Sequence, residues 1–191
     1  TGDTKITMTG GKVKRIYGGG SSGSSLTGDT YITVSGGEVS YDIYGGGDSA
    51  NVTGKTDITV SGGTVGHEIY GGGGNNSSVA SSTVTIGGNA QVGGSSLSGP
   101  LYGIVINGGT NVAVKNGVAQ FVIGQNFTGS VNVKLPKGFD VISNPVIATG
   151  AAEGDAAKIA LSGAADGLEA YFDSSAQANK VRKPPTPTSW S

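Results

Sequence analysis

The chain has 191 residues, 37 of them glycine, and only 13% are charged, for a formal net charge of −1. Ordinary globular chains hold about 7% glycine and about 25% charged residues, so low charge and high glycine are the first things to explain. The absence of cysteine excludes a disulfide scaffold and a cysteine zinc site, the lack of a basic excess speaks against a nucleic-acid-binding stripe, and the glycines do not recur every third residue as collagen requires.

The chain opens on a repeat. Thr1-Gly2-Asp3-Thr4 leads to Ile6-Thr7-Met8-Thr9-Gly10-Gly11 and then Ile16-Tyr17-Gly18-Gly19-Gly20. The pattern returns as Thr27-Gly28-Asp29-Thr30, Ile32-Thr33-Val34-Ser35-Gly36-Gly37 and Ile43-Tyr44-Gly45-Gly46-Gly47. It returns again as Thr53-Gly54-Lys55-Thr56, Ile58-Thr59-Val60-Ser61-Gly62-Gly63 and Ile69-Tyr70-Gly71-Gly72-Gly73. Ile6, Ile32 and Ile58 are 26 residues apart, and Val84 continues the series. A fixed period of about 20–50 residues denotes a solenoid, propeller or array, and a propeller blade needs about 40 or more. Good helix formers are scarce, and apolar residues alternate with polar ones, which is the strand period.

Each copy therefore reads as short strands between glycine corners: one at Ile6 to Met8, one at Val13 to Tyr17, one near Leu26. The expected fold is an all-β, right-handed parallel β-helix of about five to seven coils with a C-terminal β cap, its handedness taken from the crossover rule. Stacked coils place residue i over residue i+26. The expected inner ladders are Ile6/Ile32/Ile58/Val84, Met8/Val34/Val60/Ile86, Val13/Val39/Val65, Ile16/Ile43/Ile69 and Leu26/Val52/Val79. An outward column of mixed character holds Lys5, Tyr31, Asp57 and Thr83. The spacing from Val13 to Ile16 is three residues where Val39 to Ile43 and Val65 to Ile69 are four, an offset that a corner or bulge absorbs.

Regular repeats are expected over 1–95 and irregular coils over 96–138, where Leu101-Tyr102-Gly103, Ile104-Val105-Ile106, Phe121-Val122-Ile123 and Val131 to Leu135 echo the pattern. Residues 139–178 read as the β cap, with a hairpin across Gly163 to Gly167. Residues 179–191 read as an extended linker or tail. No apolar run approaches the roughly 20 residues of a membrane helix and no signal peptide opens the chain. The first residue falls inside a repeat, as expected for a piece of something longer.

The Thr-Gly-Asp-Thr-x-Ile-Thr-Val-Ser-Gly-Gly-x-Val…Ile-Tyr-Gly-Gly-Gly copies, over roughly residues 1 to 95, resemble the repeats of large secreted or wall-attached adhesin-like proteins of anaerobic, often gut, bacteria. Gly154-Asp155-Ala156-Ala157-Lys158-Ile159-Ala160-Leu161 looks like the end segment of such arrays. The resemblance implies a cell-surface, extracellular location and a stalk or adhesion role, with neighbouring repeats of a longer chain and a glycan or surface protein as partners. It carries no catalytic residue, cofactor or metal.

Candidate sites follow from the repeat. Tyr17, Tyr44 and Tyr70 recur once per coil and form an outward stripe if the neighbouring isoleucines face in. Such a stripe can stack on sugar rings, giving a carbohydrate-binding module, or serve as a structural ladder. The hydroxyl columns Thr7/Thr33/Thr59/Thr85 and Thr9/Ser35/Ser61/Gly87 resemble an ice-binding face but match ordinary strand propensity. Asp3 and Asp29 lie in corners where an aspartate bonds its own backbone, and Asp48 follows one glycine triplet. A calcium ladder would need repeating carboxylates, and Lys55 interrupts them. His67 and Glu68 face opposite sides of a strand, with Asp42 one coil away from Glu68. A polysaccharide lyase or hydrolase needs converging acids, and the acids here scatter, so an enzyme is the least favoured reading. Gly71 to Gly74 lacks the Lys-Ser/Thr of a phosphate loop. Asn51, Asn76 and Asn126 sit in Asn-x-Ser/Thr sequons, relevant only in a host that glycosylates them.

Overall fold

Alternation of β-branched and polar residues makes four long strands, Thr4–Met8, Thr30–Val34, Lys55–Val60 and Ser81–Ile86. Their apolar positions turn inward, and Ile58, Val60, Val84 and Ile86 are fully buried. The computed structural model describes residues 2–75, 77–93, 104–105, 120–124, 127–135, 141–142, 146–163 and 166–185. Among them nearly everything regular is strand, stacked in parallel as a β-solenoid of about 4 turns. A single 3-10 turn, Asp155–Lys158, is the helical element described.

The register is the one the repeat dictates. Ile6 pairs with Ile32, Ile32 with Ile58 and Ile58 with Val84, while Met8, Val34, Val60 and Ile86 follow one column on. A second sheet carries two columns of two-residue strands: Lys12–Val13, Glu38–Val39, Thr64–Val65 and Gln91–Val92, then Ile16–Tyr17, Ile43–Tyr44 and Ile69–Tyr70. The single strand expected over Val13 to Tyr17 is thus two, separated by a bend. The one-residue offset falls in that bend, since Val13 pairs with Val39 and Ile16 with Ile43 despite it. Both columns end on one strand, Ser130–Leu135. Its Val131 pairs with Val92, and its Val133 with Ile104 of the strand Ile104–Val105. Leu26, Val52 and Val79 form a small separate cluster under the third corner.

The regular winding is shorter than five to seven coils because the period breaks after Val92. Thr83 pairs with Gln120, an offset of 120 − 83 = 37 residues where the earlier coils use 26. Strands Gln120–Ile123 and Val146–Thr149 still extend the long-strand sheet in parallel, and Ile159–Gly163 runs parallel to Ser130–Leu135. The hairpin expected across Gly163 to Gly167 lies elsewhere. Glu169–Asp173 pairs antiparallel with Ala178–Arg182, turning through Ser174 to Gln177. Residues 179–182 therefore belong to the cap rather than to a tail, with Asn179 and Val181 almost inaccessible. The antiparallel pair departs from the parallel stacking of the coils, with Glu169–Asp173 as the last strand of the described sheet. Among the described residues the buried Asn179 side-chain amide meets no hydrogen-bond partner.

Glycine is required where coils touch through their backbones. Gly37 has φ +89°, and at Gly45 a Cβ would stand 2.5 Å from the Gly71 carbonyl oxygen and 2.8 Å from Thr56 Cβ. Gly10, in contrast, has open space around it. We expect Gly45→Ala to cost about 1–3 kcal/mol or more through overpacking, lowering the melting temperature by about 2–4 °C per kcal/mol, and Gly10→Ala to leave it nearly unchanged. Circular-dichroism melts of the two variants check this.

Candidate functional site

The short strands ending in tyrosine project one side chain inward and the next outward. Ile16, Ile43 and Ile69 are buried, and Tyr17, Tyr44 and Tyr70 are half-buried on the outer side. Exact register stacks the three rings face to face. Centroids lie 4.7 Å apart with interplanar angles of 2° for Tyr17–Tyr44 and 4° for Tyr44–Tyr70. Both faces of Tyr44 are therefore covered by its neighbours. A sugar ring stacks on an aromatic through the face, so Tyr44 offers a ligand only its edge and hydroxyl. The stripe has the geometry of the structural ladder.

The residue two positions before each tyrosine shares its side of the strand. These are Arg15, Asp42 and Glu68, one per coil. The Arg15 guanidinium donates from Nε to Asp42 Oδ2 at 3.1 Å, and Tyr44 Oη donates to the same oxygen at 3.4 Å. Tyr70 Oη donates to Glu68 Oε2, and the Glu68 backbone N–H donates to Asp42 Oδ1 at 3.3 Å. Asp42 and Glu68 are 7% and 6% exposed. Next to them Tyr41 collects positive charge. The Arg15 guanidinium lies 4.8 Å and the Lys14 ammonium 5.3 Å from its ring centroid, and His67 packs on it at 4.6 Å with a 58° tilt. His67 Nδ1 is 3.8 Å from Asp42 Oδ1.

The acids that look scattered in the sequence thus partly converge, with Asp42, Glu68 and His67 meeting at one corner. Arg15 and Tyr41, which the sequence reading did not single out, complete it. Their signal was the shortened first corner: counting back from Ile16 and Ile43, not forward from Val13, sets Arg15 against Asp42. The Asp42 carboxylate is already engaged by an arginine, a tyrosine and a backbone N–H, and Glu68 by Tyr70. Among the described residues no group of three or more His, Asp or Glu side chains is placed to hold a metal ion.

The corner aspartates behave differently from expectation. Asp3 Oδ1 accepts the Asp29 N–H at 2.9 Å and Asp29 Oδ1 accepts the Lys55 N–H at 3.0 Å, so each bonds the next coil's backbone and not its own. Asn51 Oδ1 accepts the Ser78 N–H at 2.9 Å in the same manner, and Asp48 Oδ1 accepts from Asn75 Nδ2 at 2.6 Å. On the inside, the buried Thr30 and Thr56 hydroxyls donate to the Gly45 and Gly71 carbonyls at 2.6 and 2.7 Å. The threonine column Thr7/Thr33/Thr59/Thr85 is in register, is broken at Val122 and is followed there by Thr149. Asn76 and Asn126 lie outside the described residues.

Comparison of the chain with protein-family models, with curated proteins and with solved structures finds no match in any of the three. Among the described residues no helix is long and apolar enough to cross a membrane.

Burial raises the Tyr17, Tyr44 and Tyr70 hydroxyls, with nearby carboxylates adding to it: Asp48 for Tyr17, Asp42 for Tyr44, and a hydrogen bond to Glu68 for Tyr70. Tyr44 is pushed up from its ordinary 10.0 to about 12. A folded-state value above the unfolded one contributes stability below the unfolded value and loses it as pH rises through the folded one. Ultraviolet titration is expected to show Tyr44 and Tyr70 still protonated when the exposed tyrosines have ionised. Stability should fall between pH 10 and about 12. Ionisation of all seven tyrosines together near their ordinary value would contradict the packed ladder.

Proposed function

We propose that this chain is a rigid structural segment of a secreted or wall-attached bacterial cell-surface protein, holding or forming an adhesive surface. The observation that supports it best is where the polar side chains go. Asp3, Asp29, Asp42 and Asn51 each accept a backbone N–H of the following coil, and the tyrosine rings stack on one another. Chemistry-bearing groups are used to tie coil to coil, which is what a stiff, protease-resistant segment needs and what an active site cannot spare. The resemblance of the repeats to adhesin-like arrays points the same way.

The segment acts through geometry. Parallel backbone ladders resist bending along the stack, flat outer rows present a repeating surface to a glycan or surface protein, and further repeats of the same period can extend the stack. The segment is proposed as non-catalytic. Of the two ligand-directed alternatives, a carbohydrate module built on Tyr17, Tyr44 and Tyr70 is weakened by the covered faces of Tyr44. A lyase- or hydrolase-type site at Asp42 and Glu68 is weakened by their existing partners.

An antibody raised against this chain tests the reading on cells that make the full-length gene product. Labelling of intact, non-permeabilised cells is expected. Labelling only after lysis would contradict it.

A further inference from the structure

The outer face of the long-strand sheet carries a depression of about 440 Å³ lined by Asp3, Lys5, Tyr31, Thr33, Asp57 and Thr59. It sits away from the tyrosine ladder and departs from the repeat. Lys5, Tyr31 and Asp57 occupy one register column, followed by Thr83. The inner ladders keep like over like, and this outer column changes chemistry on every coil. The fold does not need an aromatic there, since Thr83 fills the same position two coils on.

Tyr31 is half-buried and lines the depression. Its hydroxyl donates to Asp29 Oδ2 at 3.2 Å, and the Lys55 ammonium lies 5.8 Å from the ring centroid. Among the described residues no other ring stacks on it, in contrast to Tyr44. Among the described residues, the side chains of Lys5 and Asp57 take part in no hydrogen bond or ion pair. They flank Tyr31 one coil to each side, hence about 9.6 Å apart for two coil rises of about 4.8 Å. Thr33 and Thr59, two residues along on the same outward face, add hydroxyls. Asp3, which uses Oδ1 to hold the Asp29 N–H, also lines the depression.

An accessible aromatic surface, an unpaired acceptor, an unpaired donor and a row of hydroxyls are the groups that recognise a sugar: an apolar ring face to pack on and vicinal hydroxyls to bond. The charges nearly balance, with Lys5 and Lys55 against Asp3, Asp29 and Asp57, which favours a neutral ligand over a uronic acid or phosphate. We propose that this depression binds a neutral saccharide segment about two pyranose rings long, packed against Tyr31. Its hydroxyls bond to Asp57, Lys5 and the threonines. The inference stands apart from the structural role proposed above, because it concerns a ligand on one outer face and is read on the chain itself.

The test uses neutral cello-, xylo-, manno- and chito-oligosaccharides displayed on an array, with titration calorimetry on any that bind. Binding is expected, and both Tyr31→Thr, which installs the residue found at position 83 of the same column, and Asp57→Asn should weaken it about tenfold or more, about 1.4 kcal/mol. Their thermal melts should be unchanged, and Thr64→Ala on the other sheet should bind as the parent does. Absence of binding to every neutral oligosaccharide at about 10 mM, binding to charged glycans alone, or an affinity untouched by Tyr31→Thr would each overturn the proposal.

Discussion

The structure rests on one constraint: each residue must lie over its counterpart one repeat on, i+26 in the long strands and i+26 or i+27 in the second sheet. Parallel strands joined in this way hydrogen-bond to the coils before and after, so a backbone N–H or C=O finds its partner only if the register holds. A slip of one residue would exchange the inner and outer faces of a whole strand. Ile32, Val34, Ile58 and Val60, all fully or almost fully buried, would then face water, at a cost of about 1.5–3 kcal/mol each. The same constraint explains the composition. Like charges stacked directly opposite one another repel, so the outer columns are mostly hydroxyl, aromatic or mixed, and the corners take the glycines that close backbone approach demands.

Polar groups serve the stack in the same way. The corner aspartates, Asn51 and the buried threonines all bond a backbone group of another coil or of the opposite wall. The Arg15–Asp42–Glu68 column joins three coils through side chains and a main-chain N–H. Such bonds add about 0.5–1.5 kcal/mol each, more where a charge is involved, but their larger effect is positional: each is satisfied in one register only. This is the physical basis for proposing a structural segment, and it makes the unengaged side chains around Tyr31 conspicuous.

Much of this was legible in the sequence because a repeat lets local pattern state long-range contact. The register of the five ladders, the inward isoleucines and the outward Tyr17, Tyr44 and Tyr70 follow from the repeat and strand alternation, but Val13, expected inside, is 39% exposed on the first coil. Three features were not legible. The direction of the Asp3 and Asp29 bonds depends on whether the next coil's N–H lies nearer than the residue's own, a distance that pattern does not encode. The meeting of Asp42, Glu68 and His67 with Arg15 depends on which side of the corner absorbs the missing residue. The strand Ala178–Arg182 was missed because the repeat had ended. Ile159–Gly163 reads as a short apolar strand, but Ala178–Arg182 holds Asn179, Lys180 and Arg182 among its five residues and carries no local strand signal, so it reads as linker.

The central claim is tested most directly by methyl–methyl nuclear Overhauser contacts in a chain labelled at isoleucine methyl groups. In-register coils about 4.8 Å apart predict the two series Ile6–Ile32–Ile58 and Ile16–Ile43–Ile69, each contact linking successive coils. Missing contacts within a series, or a strong contact that skips the register, would contradict it.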